Sequence, residues 1–307
     1  MKIGFGRIKE KAQDIILWHY TSPEVLWKML SGEFYATHYR FMNDSDEIIY
    51  GTRAFEEIFD KEESLRYLKV MMKDLLTRDF FLLCFSEDPD NLYHWRSYTP
   101  RGGFSIGFSY NGLCDIFNKI EYELSDKKRP EGDLVQCRYL STDDITKFIL
   151  EKTADFRNAI DGLSEEDRLA FNQCVAAAEP NRLFKTVIDL DKRFPDLRHL
   201  LADIPRLAFN LYALCLTFKN KSFEVEKEYR LVIAGDDLRE QIEYIGNKPR
   251  IKVPTPKLSK CITECIKGVY VSPHGDVEQN YLLAEIARKR FGLNFEIHRS
   301  LSSFNGR

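Results

Sequence analysis

No stretch of this chain approaches the ~18 uninterrupted apolar residues of a membrane-spanning helix, and the opening MKIGFGRIKEK lacks the apolar heart of a secretory leader. A cytoplasmic protein without a membrane partner is the expectation. Net charge is also small: 45 basic against 48 acidic residues leave a formal -3, too little for a global field that draws in nucleic acid. The seven cysteines are odd in number and scattered through apolar stretches, which argues against a disulfide framework. Cys84, inside the aromatic run 80–85, reads as a small buried apolar group. Internal repeats and low-complexity linkers are missing.

Several motifs are absent too. There is no G-x-x-x-x-G-K-[ST] phosphate loop, and Gly102, Gly103 and Gly107 stand in a strand context that does not suit a dinucleotide fingerprint. Cys261-x3-Cys265 with His274 lacks a fourth zinc ligand at suitable spacing. Asn43, Asp44, Asp46 and Glu47 lack the spaced oxygen series and central glycine of a calcium loop, and read better as a helix cap. No metal is expected.

What remains is ample material for a core: 307 residues, 44% hydrophobic and 13% aromatic. Ile15, Ile16, Leu17 and Trp18 read as a strand ending in His19-Tyr20-Thr21. Ser22-Pro23 starts a helix that Gly32 stops, and 33–37 follow as a short strand. The capping box Asp44/Glu47 opens a helix with Ile48, Phe55 and Phe59 on one face. Residues 80–85 read as a buried strand, 90–98 as a helical turn, and 102–109 as a strand whose glycines permit close backbone approach. Beyond the strand-like 135–140 the pattern is helical from about 141 to 211. Strand signals resume at 214–218, 226–234, 251–253 and 266–271, before a helix near 277–290 and a strand near 294–299. The economical layout is one α+β domain over 1–307, with a mostly helical insertion at about 141–211.

The chemistry-bearing candidates lie far apart in the chain. His19 reads either as a strand-end histidine bonded to backbone or as a donor to a ribose hydroxyl, with Tyr20 and Thr21 shaping the pocket. At strand period, Glu224, Glu226, Glu228 and Arg230 point one way and Val225, Lys227, Tyr229 and Leu231 the other. Three stacked carboxylates repel, so that face must meet water, cations or Arg230. A solvated edge suits Glu224; Glu226 or Glu228 in a cleft would hydrogen-bond a sugar hydroxyl and stabilise positive charge on an anomeric carbon. Trp95 and Tyr98, three apart on a helical turn, would wall a pocket or simply pack a core. Arg96 and Arg101 are surface charges or pyrophosphate contacts. Lys248, Arg250, Lys252, Lys257 and Lys260, interleaved with Pro249, Pro254 and Pro256, read as a solvated loop, with a contact to nucleic acid or an acidic target as the alternative.

Taken in order, His19-Tyr20-Thr21, Phe41-Met42-Asn43-Asp44 with Glu47, Cys84-Phe85-Ser86, Trp95 with Tyr98, 103–108, Glu226 to Arg230 and 269–273 resemble a widespread bacterial and phage family catalogued as a domain of unknown function. The resemblance covers most of the chain apart from the helical stretch after Ser141. Where that family often has a tryptophan just before its Glu-x-Glu, the nearest aromatic here is Phe223. The family in turn is similar to ADP-ribosyltransferases of the His-Tyr-Glu kind. The resemblance implies a split mixed or antiparallel sheet that binds NAD, with His19, Tyr20, Thr21, Asn43, Trp95 and Tyr98 around it. It implies an aromatic on nicotinamide, for which Tyr39 is preferred over Tyr35 and Tyr50. Glu228 would bond the nicotinamide ribose and Glu226 would position the acceptor. The implied activity is transfer of ADP-ribose to a macromolecule, in toxin or phage-defence biology. NAD hydrolysis and non-catalytic nucleotide sensing are the alternatives.

Overall fold

The computed structural model describes residues 14–42, 45–65, 68–69, 79–115, 131–176, 190, 192–197, 207, 211, 214–234, 238–253 and 264–302. In chain order the strands are β1 (Ile16–Thr21), β2 (Tyr35–His38), β3 (Phe80–Ser86), β4 (Phe104–Ser109), β5 (Glu131–Gln136), β6 (Arg138–Tyr139), β7 (Phe218–Lys219), β8 (Glu228–Ala234), β9 (Ile242–Ile245), β10 (Lys248–Lys252), β11 (Ile266–Val271) and β12 (Glu296–Arg299). This is a mixed α/β protein with a mostly antiparallel sheet. Among the described residues, no helix is long and apolar enough to cross a membrane.

Two compact units divide the chain, one drawing its described residues from 43–79 and 138–222, the other from 14–42, 80–137 and 223–302. The second holds a ten-stranded sheet in the order β12-β11-β4-β1-β3-β2-β10-β9, with β8 on the far edge of β3 and β5 beyond it. Among the described residues of this sheet, only β11 and β12 pair in parallel. One face is apolar because alternate residues of β1, β3, β4, β8 and β11 are large hydrophobics. Leu17, Phe81, Phe85, Ile106, Phe108, Leu231 and Val269 meet Leu26 and Met29 of the helix Pro23–Leu30 and Ala284 and Ala287 of the helix Val277–Arg290. A buried Phe side chain is worth about 1.5–3 kcal/mol. The exposed Lys252–Glu33 ion pair, like others of its kind, is worth about 0–1 kcal/mol, so packing and not surface charge holds this layer.

The opposite face carries the indole of Trp18. A side chain on Gly107 would place its Cβ 2.6 Å from that ring, so the glycine in β4 is what lets Trp18 lie flat across the sheet. Tyr270 of β11 meets the same ring edge-on at 5.3 Å between centroids.

The helical unit is wider than the expected insertion. It includes the helix Ser45–Lys61, whose Phe55 and Phe59 are buried and whose Phe55 ring stacks on Phe218 at 6.2 Å. That aromatic stripe is satisfied by partners of its own unit, so the segment before residue 80 belongs here. The helices Thr142–Lys152, Ala154–Asp161 and Glu165–Ala176 follow, the first opened by a Ser141/Asp144 capping box. Asp44 and Asn43 lie outside the described residues, as do the side chains of Asp46 and Glu47.

Three strand expectations are corrected. Residues 214–217 form a helical end and turn closed by Thr217 N–H on the Leu214 carbonyl at 2.9 Å, leaving only two residues for β7. Residues 221–226 form a 3-10 helix that Asn220 begins by accepting from Ser222 N–H, and Lys227 (φ 46) turns the chain before β8 starts at Glu228. Glu224 and Glu226 therefore do not share a strand face with Glu228. The strand expected at 251–253 begins earlier, as β10 at 248–252, and takes in Lys248, Arg250 and Lys252 of the basic run read as a loop; Gly246 and Asn247, at φ 57 and 60, join it to β9. Two successive positive φ values make the tight turn that matches strand twist.

Candidate functional site

One edge of β3 is shared by two strands. β1 touches it through Trp18 opposite Ser86, and β2 through Thr37 opposite Leu82 and His38 opposite Phe81. Between those contacts, the two strands part. His19 fills the interval: its Nδ1 lies 2.7 Å from the Cys84 carbonyl oxygen, and its ring meets Phe85 edge-on at 5.8 Å. A carbonyl only accepts, so Nδ1 carries the proton. Burial lowers the His19 pKa below its ordinary value, and the positive charge of Arg250 lowers it further against the opposing effect of the carbonyl bond. The ring is thus neutral and Nε2 offers a lone pair. In this tautomer Nε2 is an acceptor, whereas the sequence reading gave His19 the role of a donor.

Glu228 opens β8 opposite Ser86, with Arg230 opposite Cys84. Residues two apart on a strand share a face, and here they bond: Arg230 Nε donates to Oε1 at 2.7 Å and an Nη to Oε2 at 3.2 Å. Both side chains are buried. Burial opposes the Arg230 charge, yet the adjoining Glu228 carboxylate holds its pKa well above the usual value. Burial, reinforced by Glu228, pushes the Cys84 thiol well up, so that cysteine stays protonated and unreactive. Glu228 shares its face with Trp18 and Ser86, whereas His19 alternates to the other, so the two do not look at each other across one surface.

Beside Ser86 a corner is built by the helix Leu92–Tyr98. Asn91 caps it by accepting from Tyr93 N–H at 2.9 Å and reaches the Val225 carbonyl with Nδ2 at 3.0 Å. The Glu226 carbonyl receives Ser86 Oγ at 2.7 Å and His94 Nε2 at 3.1 Å. Glu226 is buried in this corner, so its proposed handling of an acceptor has no open face here. Tyr20 donates its hydroxyl to the Asp88 carbonyl and accepts Asn91 N–H, both at 2.8 Å, and its ring packs on His94 and Trp95. Trp95 is fully buried and gives its indole N–H to Asp90 at 2.7 Å, so it supports the corner from behind and presents no face. Tyr98 is exposed, next to His94. Thr21 is buried in the β1–β4 ladder opposite Phe104.

The three tyrosine candidates for nicotinamide stand on different elements. Tyr39 lies buried in a 3-10 turn after β2, its hydroxyl accepting from Arg40 Nε at 2.7 Å and its ring beside His38 and Phe80. Tyr50 belongs to the helical unit, bonded to the Leu140 carbonyl. Tyr35 is half-buried on β2 under Lys28. Asn43 lies outside the described residues. Arg96 and Arg101 are exposed. Cys265 is buried with its thiol toward the Ser109 carbonyl, and Cys261 lies outside the described residues. A shallow concavity on the helical unit, along Thr146, Leu150 and Arg157, gathers none of the candidate residues.

The residues missed from sequence are Ser86, Asn91, His94 and Arg250. Arg250 stands on β10 opposite Thr37 of β2, half-buried, with its Nε enclosed and lacking a hydrogen-bond partner. The signal that would have placed it is the Gly246-Asn247 hairpin turn.

A family described as "Protein of unknown function (DUF2971)" has a model that matches residues 94–231, a span running from His94 through Glu228 to Leu231 and not reaching His19. No curated protein and no solved structure matches the chain.

Proposed function

We propose that this chain is an ADP-ribosyltransferase-like enzyme that binds NAD where β1 and β2 part along β3, and transfers ADP-ribose to a macromolecular acceptor. The observation that carries the reading is the parting of β1 and β2 along the β3 edge, where a neutral His19 bonds the Cys84 carbonyl through Nδ1 and keeps Nε2 as an acceptor. Glu228 lies on the other face of the sheet from His19, so in this reading the ligand wraps the β3 edge to meet both. His19 would take a ribose hydroxyl. The bond between nicotinamide and ribose would break with its electron pair leaving on nicotinamide. Glu228, held anionic by Arg230, would oppose the positive charge left on the sugar. The acceptor's nucleophile then forms the new bond to the anomeric carbon and releases its proton.

One observation favours a second reading. Glu228 is buried and already neutralised by Arg230, which suits a module that binds a nucleotide without cleaving it. With water as acceptor the same site would hydrolyse NAD.

The deciding measurement is nicotinamide release from NAD by the purified chain and its Glu228→Gln form, with and without cell lysate. Release that needs lysate and falls by about 10²- to 10³-fold in the variant supports transfer. Release without lysate supports hydrolysis or self-modification. NAD binding by calorimetry without release supports the sensor. Neither binding nor release would end the NAD reading.

A further inference from the structure

Two guanidinium groups of this sheet are buried in different ways. Arg230 has a carboxylate on both arms of its fork. Arg250 has none among the described residues: its Nε is enclosed and lacks an acceptor there, and burial alone lowers its pKa. Glu243, directly opposite on β9, is exposed and makes no ion pair with it. Lys248, two residues earlier on the same face of β10, also has its pKa lowered, first by burial and then by repulsion from Arg250. A side chain on Gly246 would approach an Arg250 Nη to 4.0 Å, so the guanidinium lies beneath the β9–β10 turn. Its cross-strand neighbour Thr37 lies opposite Leu82 of β3, two residues from the Cys84 whose carbonyl His19 holds. An unpaired, half-desolvated cation is unfavourable unless something negative arrives to offset it.

We infer that Arg250 is the anion contact of this site and takes phosphoryl oxygens of a nucleotide pyrophosphate, with Lys248 adding charge behind it. This rests on the reading of the parted strands as a nucleotide site. The planar fork of arginine suits two oxygens of one phosphoryl group, and an incoming phosphate restores the charge balance that burial disturbs. His19 Nε2 accepts a ribose hydroxyl alongside, so one ligand carrying both groups satisfies both residues.

Calorimetry on the full chain, at low and high salt, tests this with NAD, ADP-ribose, inorganic pyrophosphate and adenosine. Arg250→Gln is expected to weaken the three phosphate-bearing probes by about 10- to 100-fold, as for loss of charge-assisted bonds, and to flatten their salt dependence. Adenosine binding stays unchanged, and the melting temperature stays level or rises because an unpaired cation is gone. Arg250→Lys falls between, as a point charge without a fork. If Arg250→Gln binds NAD as tightly as the parent, the inference is overturned while the NAD reading survives. If the parent binds pyrophosphate and ADP-ribose but neither binds nor cleaves NAD, the anion site stands and the NAD reading falls. If the parent binds no phosphate-bearing probe, or if Arg250→Gln lowers melting and leaves affinities alone, Arg250 is merely structural.

Discussion

Arg230 and Glu228, two residues apart on β8, close on each other through hydrogen bonds of 2.7 and 3.2 Å in a place where both are buried. A pair on one strand needs no partner element to form, so it is a fixed piece of the sheet as well as the source of the candidate carboxylate.

Removing one member leaves an uncompensated buried charge. Arg230→Leu is expected to destabilise the fold by about 3–5 kcal/mol, and the double change Glu228→Leu with Arg230→Leu to recover most of that. Urea midpoints of the two single variants and the double form the cycle. Additive losses would mean that the pair contributes nothing beyond its separate side chains.

His19 makes stability depend on pH in a defined direction. Its folded pKa lies below the ordinary value of 6.5, so as pH falls through that value the unfolded chain takes a proton that the folded chain refuses. Stability is complete above pH 6.5 and is lost as pH drops toward the folded pKa. The melting temperature of the parent should therefore fall more between pH 7 and pH 5 than that of His19→Gln, whose amide still donates to the Cys84 carbonyl. Parallel curves for the two proteins would contradict the neutral, buried imidazole.

Gly107 is constrained by Trp18. Gly107→Ala places a methyl 2.6 Å from the indole, a contact that must be relieved by moving the ring or the strand. The expected cost is about 1–3 kcal/mol, as for other overpacked sites. Because Trp18 packs with Tyr20, Trp95 and Tyr270, its near-ultraviolet dichroism and fluorescence should shift as well. Gly107→Ala combined with Trp18→Phe should regain part of the loss.

Much of the frame follows from local pattern. The aromatic run at 80–86 could only be a buried strand, Ser22-Pro23 and Gly32 bracket a helix, and the small-large alternation of 104–109 lies flat against Trp18. These depend on side chains a few residues apart, whose spacing already states which face is apolar. Short polar strands were harder to read. β9 and β10 are partly exposed and show no clean alternation, so only 251–253 read as strand, and Arg250 was taken for a loop charge. Glu226 seemed one step of a strand until Asn220 and the positive φ of Lys227 coiled the chain before it.

The sequence by itself determined which residues could be charged, apolar or small, and therefore which strands and helices were affordable. Tertiary structure alone decided what those residues meet. That β1 and β2 share one edge of β3, that His19 spends its proton on Cys84 and that Arg250 stands opposite Thr37 of β2 are all relations between distant segments. Such contacts depend on strand order and register, and a one-residue slip would turn each of these side chains to the opposite face.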